Sequence, residues 1–279
     1  MAGLKVLTLV IIFFSFESFA SQKNGKYFDR AIIVMFENAN YSDAIKQPFF
    51  KKIADQGAHF SNFLALTHPS QGNYIALTSG SLNGVNSDGV FDIDVRSIAD
   101  LLEEKGLTWK VYSEAFPGHC FLGKSKGNYV RKHVPFISYL DIQKNPQRCA
   151  KIVEAAQFDV DVEQGKLPDY IFYVPDVRND GHDTGVSYAD KWYNQKFSPY
   201  LNNAKFMENT VLITAFDESS FSASKNQIYV SIVGPGVKSS VVADSLNLYS
   251  LLNLFEENWN LGSLGKNDIQ AVPVPQIWK

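Results

Sequence analysis

The sequence predicts an α/β fold with a mostly parallel central sheet flanked by helices, and three observations support this prediction. Apolar runs of five to seven residues recur along the chain and alternate with segments of helical periodicity. The runs at 31–36, 170–174 and 210–216 are almost continuously apolar, as expected of strands covered on both faces. The length of 279 residues with 45% hydrophobic residues is sufficient for one large core.

The elements follow one another in a regular order. The pattern predicts strands at 31–36, 60–66, 107–112, 170–174, 210–216 and 228–233. It predicts helices at 48–56, 73–78, 98–105, 152–157, 189–201 and 250–258. Ser97 and Asp100 form a capping box for the third helix, and Pro199 is expected to interrupt the fifth. The segments 83–94 and 113–148 are predicted to be irregular.

The first twenty residues have the layout of a signal peptide. Lys5 precedes an apolar run at 6–16, and small residues at Ser18 and Ala20 suit a cleavage site. The alternative is a buried N-terminal strand. We expect cleavage after Ala20, a single domain at 21–279, and a protein that is secreted or held in a lysosome-like secretory compartment.

The two cysteines, Cys120 and Cys149, are predicted to form one disulfide. An even count in a secreted chain favours pairing, and the closed loop would hold about 28 residues. Two buried free thiols are the alternative. The spacing does not match that of a zinc ribbon.

Charge and hydropathy exclude two classes of partner. The net charge is −3 with a pI near 6.0 and no basic stripe, so a nucleic-acid partner is not expected. No apolar run after residue 20 reaches membrane-spanning length, and the C-terminal sequence carries no lipid-anchor signal. We therefore expect no stable membrane anchor. Nothing in the pattern predicts an oligomeric state.

Acidic and amide side chains follow two predicted strands directly. Glu37 and Asn38 come after the run 31–36, and Asp217 and Glu218 come after 210–216. Ligands in open α/β sheets bind at the carboxyl ends of strands, and a buried carboxylate is costly unless it is paired or bound to a metal. These residues are candidate ligands of a divalent metal ion of unknown identity. The alternative is a set of solvated loop residues.

A third group of candidate ligands follows the run 170–174. Asp180 and His182 lie in an acidic loop together with Asp183. Mixed nitrogen and oxygen donors suit zinc, manganese or iron, whereas carboxylate and amide oxygens suit calcium or magnesium.

Ser70 is the candidate nucleophile. It follows Pro69 where a loop is expected to become a helix, so helix N-terminal amides would face a bound phosphate. Metal coordination activates a hydroxyl for attack, and Asn73, one turn later, can place its amide beside the same oxygens. The alternative is that Ser70 is a plain helix cap. A G-x-S-x-G elbow does not surround Ser70, and neither a P-loop nor a G-x-G-x-x-G fingerprint occurs.

Five motifs in order resemble the phosphoesterase family of secreted acid phosphatases and bacterial-type phospholipases C. They are VMFEN at 34–38, HPSQGNY at 68–74, NDGHD at 179–183, ITAFDE at 213–218 and LGSLG at 261–265. That family belongs to the alkaline-phosphatase-like superfamily. The resemblance implies an alkaline-phosphatase-like sheet flanked by helices, a Ser or Thr nucleophile and a bound divalent metal ion.

Carried over by position, the resemblance assigns roles to the candidates. It implies that Ser70 is the nucleophile and that Asn73 stabilises the phosphate. It implies metal-site roles for Glu37, Asn38, Asp217 and Glu218. Asp180 and His182 match the acidic-histidine motif of the family.

Two positions depart from the family pattern. Leu248 stands where the family often has a histidine before Tyr-Ser, and Gly72 stands where it commonly has proline. The departure at Leu248 bears on the number of metal ions and on activity.

The sequence thus predicts a secreted, metal-dependent phosphoester hydrolase. We expect an acid-type phosphomonoesterase that acts on a small phosphate ester through a phosphoseryl intermediate. One alternative is a phosphodiesterase or phospholipase C on the same fold, which would need a pocket for a second ester substituent. Another is a non-catalytic secreted binding protein, for which Leu248 is the motivation.

Overall fold

An eight-stranded sheet forms the centre of the molecule in the computed structural model, which describes residues 25–279. The predicted signal peptide at 1–20 lies outside the described residues. In chain order the strands are β1 (Arg30–Phe36), β2 (Ala58–Phe60), β3 (Phe63–Leu64), β4 (Trp109–Ser113), β5 (Ser125–Lys126), β6 (Tyr129–Val130), β7 (Ile152–Glu154), β8 (Tyr170–Val174), β9 (Thr210–Phe216), β10 (Gln227–Ile228), β11 (Val230–Val233), β12 (Ser240–Val242) and β13 (Leu246–Asn247).

Ten α-helices surround the sheets in the described part of the chain. They are α1 (Tyr41–Ala44), α2 (Pro48–Gln56), α3 (Gln71–Ser79), α4 (Ile98–Glu104), α5 (Leu140–Gln143), α6 (Pro146–Cys149), α7 (Ala156–Glu163), α8 (Val186–Leu201), α9 (Ala204–Met207) and α10 (Leu248–Trp259). Two short 3₁₀ turns, Arg131–His133 and Pro135–Ser138, lie between β6 and α5. Within residues 25–279, no helix has both the length and the apolar character that crossing a bilayer requires.

The order of the large sheet is β12-β2-β11-β9-β1-β8-β4-β7. Only β11 runs antiparallel to its neighbours, and every other pair in this sheet is parallel. The predicted mostly parallel α/β architecture is confirmed. Because β1, β8 and β9 point the same way, the residues that follow them meet at one edge of the sheet.

Helices cover both faces of the central strands, which explains the continuous apolar runs. All residues of β8 and β9 are buried, and in β1 only Arg30 is partly exposed. Phe36 packs edge-on against Phe50 of α2 and Tyr193 of α8 on one face. On the other face, Tyr170 packs against Phe255 of α10. The core is therefore apolar on both sides of the strands that lead to the site.

Two predicted strands prove to be divided between two sheets. The prediction of one continuous strand at 60–66 is wrong. The chain turns after Phe60, and β3 pairs with β10 and β13 in a separate three-stranded sheet. The prediction at 228–233 divides in the same way, with β10 in the small sheet and β11 in the large one. Apolar content does not reveal where a strand bends from one sheet to another.

Two helix predictions also need correction. The helix predicted at 152–157 is wrong over its first four residues, because β7 pairs with β4 at the edge of the large sheet and α7 begins only at Ala156. Pairing with a neighbouring strand overrides local propensity here. Pro199 does not interrupt α8, which runs through to Leu201. Since Pro199 lies in the last turn, it removes a hydrogen bond only near the helix end.

The predicted disulfide between Cys120 and Cys149 is confirmed, with the two Cα atoms 5.6 Å apart. The closed loop contains β5, β6, both 3₁₀ turns and α5. It therefore fixes most of the irregular segment that was predicted at 113–148.

Candidate active site

Ser70 lies at the N-terminal end of α3 and is almost completely buried, with 1% of its surface exposed. Its Oγ lies 3.1 Å from Oε2 of Glu37 and 3.0 Å from Oε1 of Glu218. One hydroxyl hydrogen can serve only one of these two carboxylate oxygens. The second close contact therefore requires either a proton on a carboxyl group or a cation beside the oxygens.

Glu37 directly follows β1, and its side chain is enclosed by donors. Its Oε1 accepts a hydrogen bond of 3.1 Å from the Tyr74 hydroxyl and lies 2.6 Å from Nε2 of His133. Burial would raise the pKa of the Glu37 carboxyl, but the charges of His133 and Lys132 and a hydrogen bond from His133 lower it to about 2. Glu37 is thus a buried carboxylate that remains charged.

Asp217 follows β9, the strand beside β1, and anchors the backbone of both strand ends. Its Oδ1 accepts hydrogen bonds from the N–H groups of Asn38, at 3.1 Å, and Glu218, at 2.7 Å. Its carboxyl group also shares a hydrogen bond with the carboxyl group of Glu37, and both side chains are buried. Burial, together with the charges of Glu37 and Glu218, raises the pKa of the Asp217 carboxyl well above its usual range. Two buried carboxyl groups in contact require either a shared proton or a bound cation between them.

The donor chemistry around Ser70 fits a hard divalent cation. Oxygens of Glu37, Asp217 and Glu218 and the Ser70 hydroxyl are the ligand types that magnesium and calcium prefer. In residues 25–279, however, no set of three or more His, Cys, Asp or Glu side chains is already spaced to hold an ion. Holding one there would therefore require the hydroxyl as a ligand and a small adjustment of the carboxylates.

Asn38 is brought to the site by its backbone, while its side chain is exposed. Its φ of 43° is in the left-handed region, where asparagine is tolerated better than most residues. This conformation turns the N–H toward Asp217. A role as metal ligand stays a prediction.

Asn73 is fully buried, and its side chain is bonded to the loop that precedes Ser70. Its Oδ1 accepts from the N–H groups of Leu66 and Thr67, at 2.9 and 3.1 Å, and its Nδ2 donates to the Thr67 carbonyl at 2.9 Å. In this structure Asn73 therefore shapes the loop that carries Ser70. A role of Asn73 in stabilising the phosphate stays a prediction. The second hydrogen on Nδ2 forms no hydrogen bond within residues 25–279 and could serve that role.

Asp180 and His182 lie at different depths. Asp180 is buried, its Oδ2 lies 3.2 Å from Nδ1 of His133, and its Oδ1 accepts from the N–H of His182 at 2.7 Å. The His182 ring is partly exposed and contacts Asp183 at 2.8 Å. The structure thus brings Asp180 to the buried site and leaves the His182 ring at its rim.

Sequence reasoning missed Lys132 and His133. His133 is buried between Glu37 and Asp180 and stacks on Tyr74, with ring centroids 5.3 Å apart. Burial would lower the pKa of His133, but the two carboxylates raise it to about 9. Lys132 Nζ lies 3.5 Å from Ser70 Oγ and 2.8 Å from Oδ2 of Asp88. In the sequence these two residues are only an adjacent Lys-His pair followed by an apolar segment. They follow no predicted strand and belong to no periodic pattern, so nothing distinguished them from surface residues.

His68 has an electrostatic contact that its sequence position did not indicate. Its Nδ1 pairs with Oε2 of Glu218, and its ring lies 4.6 Å from the ring of Phe221. Burial raises the pKa of the Glu218 carboxyl, while the bonds from Ser70 and His68 oppose that shift. His68 therefore belongs to the same cluster as Ser70.

The two positions that depart from the family pattern lie in packed surroundings. Leu248 is the first residue of α10 and is fully buried in the core. A Cβ atom on Gly72 would lie 2.7 Å from Cγ2 of Thr67 and 3.0 Å from the Val85 carbonyl oxygen. The first turn of α3 therefore accepts only glycine without a shift of the loop that carries Ser70.

The segment 261–265 lies away from this cluster. Its N–H groups at Leu264 and Gly265 bond to Asp268, and the neighbouring Asn267 bonds to the carbonyl of Gly80 at the far end of α3. These contacts tie the segment to the C-terminal end of α3.

Sequence comparison relates the chain to known phosphatases. Residues 15–262 match the sequence model of the Phosphoesterase family. The chain is 36% identical to a probable acid phosphatase of Kluyveromyces lactis, covering 90% of this chain and 63% of that protein. It is 34% identical to an acid phosphatase of Aspergillus fumigatus, covering 90% and 59%. The chain thus spans less than two thirds of these fungal relatives. A phosphatidylinositol-3-phosphatase of Mycobacterium tuberculosis is 29% identical, covering 90% and 83%.

Comparison of structures supports the fold. A protein of the alkaline phosphatase superfamily from Vibrio parahaemolyticus superposes with a TM-score of 0.62 at 13% identity, covering 90% of this chain and 72% of that one. Murine ectonucleotide pyrophosphatase/phosphodiesterase 5 gives 0.58 at 12% identity, covering 89% and 100%. At such identities the likeness concerns the fold alone. It confirms the predicted alkaline-phosphatase-like architecture.

Proposed function

Because the chain belongs to the phosphoesterase family, we propose that it is a secreted, metal-dependent hydrolase of phosphate monoesters, of the acid-phosphatase type. The single observation that carries this proposal is the contact of one buried hydroxyl, that of Ser70, with Glu37, Glu218 and Lys132. The names of the fungal relatives support the monoester reaction.

In the proposed reaction Ser70 Oγ attacks phosphorus, and its proton passes to a carboxylate that it contacts. The bond from phosphorus to the leaving oxygen breaks as the Ser70 bond forms, and the leaving oxygen takes up the proton that Ser70 gave away, which leaves a free alcohol and a phosphoseryl group. Water then attacks the same phosphorus and releases phosphate and free Ser70.

Two cations of the chain balance the charge in this reaction. Burial would lower the pKa of Lys132, but Glu37, Asp88 and Asp217 raise it, so the ammonium group remains charged. It is placed to stabilise negative charge on Ser70 Oγ and on the phosphoryl oxygens. His133 keeps Glu37 ionised and oriented toward Ser70.

We propose that Glu37, Asp217 and Glu218 hold a divalent cation with Ser70, and that Asp180 acts through His133. When bound, the cation would lower the pKa of the hydroxyl and neutralise phosphate charge. The contact between the buried carboxyl groups of Asp217 and Glu37 supports this assignment.

Secretion and domain organisation are parts of the same proposal. The charged and apolar layout of residues 1–20 and the disulfide between Cys120 and Cys149 support export of one domain at 21–279. An exported protein whose N-terminal residue is Ser21 would agree with this, and one that retains residues 1–20 would contradict it.

The direct test uses the exported protein with two chromogenic esters, p-nitrophenyl phosphate and bis(p-nitrophenyl) phosphate. We expect the monoester to be preferred, EDTA to abolish turnover, and a divalent cation to restore it. The Ser70→Ala variant should lose turnover while Ser187→Ala, an exposed serine of α8, keeps it. A preferred diester would favour the phosphodiesterase alternative. No turnover with any added metal would favour a non-catalytic binding protein.

A further inference from the structure

A cavity of about 280 Å³ opens beside the candidate nucleophile. It is lined by Asp88, Lys124, Ser125, Val130, Lys132 and His182. Lys132 connects the cavity to the reaction centre, because its Nζ lies 3.5 Å from Ser70 Oγ. A phosphate ester whose phosphoryl oxygens lie against Lys132 would therefore have this cavity within reach of its alcohol part.

The charges around the cavity are unbalanced in favour of cations. Asp88 is the only acidic residue in its lining, and it is paired with Lys132 at 2.8 Å. In the part of the chain that the structure describes, Lys124 forms no ion pair, and its side chain is exposed. The Lys124 ammonium group is thus free to pair with a ligand. This stands out because the whole chain has a net charge of −3.

The loop that carries Lys124 is held in place. The backbone carbonyl of Lys124 accepts a hydrogen bond of 2.9 Å from the N–H of Arg131. The next residues form β5, which pairs with β6 in a short hairpin. The disulfide closes the same loop at Cys120. The backbone position of Lys124 relative to that of Lys132 is therefore set by the fold.

We propose that this cavity is a subsite for a second anionic group, with Lys124 as its specificity-determining residue. The substrate class is then small phosphate monoesters whose alcohol part carries a carboxylate or a second phosphate. This inference rests on the proposed function. The volume lies just below the usual range of about 300–1,000 Å³ for pockets that enclose drug-sized ligands, so a small polar group fits better than lipid chains.

Three two-carbon esters test the subsite: hydroxyethyl phosphate, phosphoglycolate and ethanediol bisphosphate. The first has a neutral alcohol part, the second a carboxylate and the third a second phosphate. We expect higher kcat/KM for at least one anionic ester than for hydroxyethyl phosphate. Which anionic ester is preferred distinguishes a carboxylate subsite from a phosphate subsite.

The specificity ratio is the kcat/KM of the preferred anionic ester divided by that of hydroxyethyl phosphate. The Lys124→Ala variant should lower this ratio about fivefold, as expected for one largely exposed charge pair. The Lys124→Glu variant should lower it further, since it replaces attraction by repulsion. Lys126→Ala is the matched control, because Lys126 is exposed on the same hairpin but does not line the cavity. Added salt should reduce the wild-type ratio and leave that of Lys124→Ala nearly constant.

Turnover with an unchanged ratio in Lys124→Ala would overturn the subsite and leave the proposed function intact. A higher kcat/KM on vesicles that contain phosphatidylinositol phosphate than on either anionic ester would also overturn it. Lack of turnover on every ester would instead refute the proposed function, and the subsite with it.

Discussion

His133 Nε2 lies 2.6 Å from Oε1 of Glu37, and both side chains are almost completely buried. This ion pair joins the end of β1 to the loop closed by the disulfide. It also keeps Glu37 ionised, because the charge of His133 opposes the effect of burial on the pKa of Glu37. The pair thus links the position of the loop to the charge state of the residue that contacts Ser70.

Removing His133 should therefore be strongly destabilising. We expect His133→Ala to lower the free energy of unfolding by about 3–5 kcal/mol, because it leaves buried carboxylates without their partner. Urea unfolding monitored by fluorescence measures this effect. His119→Asn is a suitable control, since His119 is exposed and its φ of 50° is tolerated by asparagine. Equal stability of the two variants would show that the pair contributes little.

Lys132 should matter for turnover more than for folding. The Lys132→Ala variant removes the only lysine that contacts Ser70 Oγ in the described chain, so kcat/KM on a monoester should fall about a hundredfold. Asp88→Asn should lower kcat/KM less, because it removes the ion-pair partner of Lys132 but leaves the positive charge of Lys132 in place. Steady-state kinetics on both variants checks this order. An unaffected Lys132→Ala enzyme would exclude the proposed charge stabilisation.

The disulfide should stabilise the site as well as the fold. The cysteines are 29 residues apart, and a loop of that length contributes on the order of 3 kcal/mol in the chain-entropy account. The double variant Cys120→Ser/Cys149→Ser should lose about that much stability and some kcat/KM, because the loop supplies Lys132 and His133. Dithiothreitol should affect the wild type in the same way and leave the double variant unchanged. A double variant with wild-type stability would contradict this.

The pH dependence of stability should carry a signal from Glu256, far from the catalytic cluster. Burial, aided by the charge of Asp268 and a hydrogen bond with it, raises the pKa of Glu256 to about 8. The folded state therefore binds more protons than the unfolded state between about pH 4.5 and pH 8. The free energy of unfolding should accordingly decrease as the pH rises through that window.

The Glu256→Gln variant tests this assignment. Above pH 8 it should be more stable than the wild type by roughly 1 kcal/mol, less than full linkage would give because solvent partly screens the site. Thermal unfolding at pH 5 and pH 8.5 gives the comparison. If both proteins lose the same stability between these pH values, Glu256 does not cause the dependence.

The sequence was most informative where a property repeats along the chain or follows a strand directly. Continuous apolar runs located β1, β8 and β9, and the acidic residues after β1 and β9 do meet beside Ser70. The end of a strand can be recognised from neighbouring residues in the sequence. Glu37, Asp217 and Glu218 could therefore be selected as candidate site residues without coordinates.

What could not be predicted depends on contacts between distant segments. Lys132 and His133 reach the site from an irregular loop, and only tertiary packing buries His133 and brings Lys132 to Ser70. The hydrogen bonds of the Asn73 side chain to Thr67 also depend on how the preceding loop folds back over the helix start, and the expected role of Asn73 at a phosphate stays a prediction. The edge strand β7 was read as helix because its partner β4 lies about forty residues earlier.

The covalent step is the central claim, and acid quenching during turnover tests it most directly. The proposed mechanism predicts that peptide mapping of the quenched protein finds one phosphoryl group on Ser70, and none in Ser70→Ala. A phosphoryl group on His68 or His133, or steady turnover by Ser70→Ala, would contradict the account.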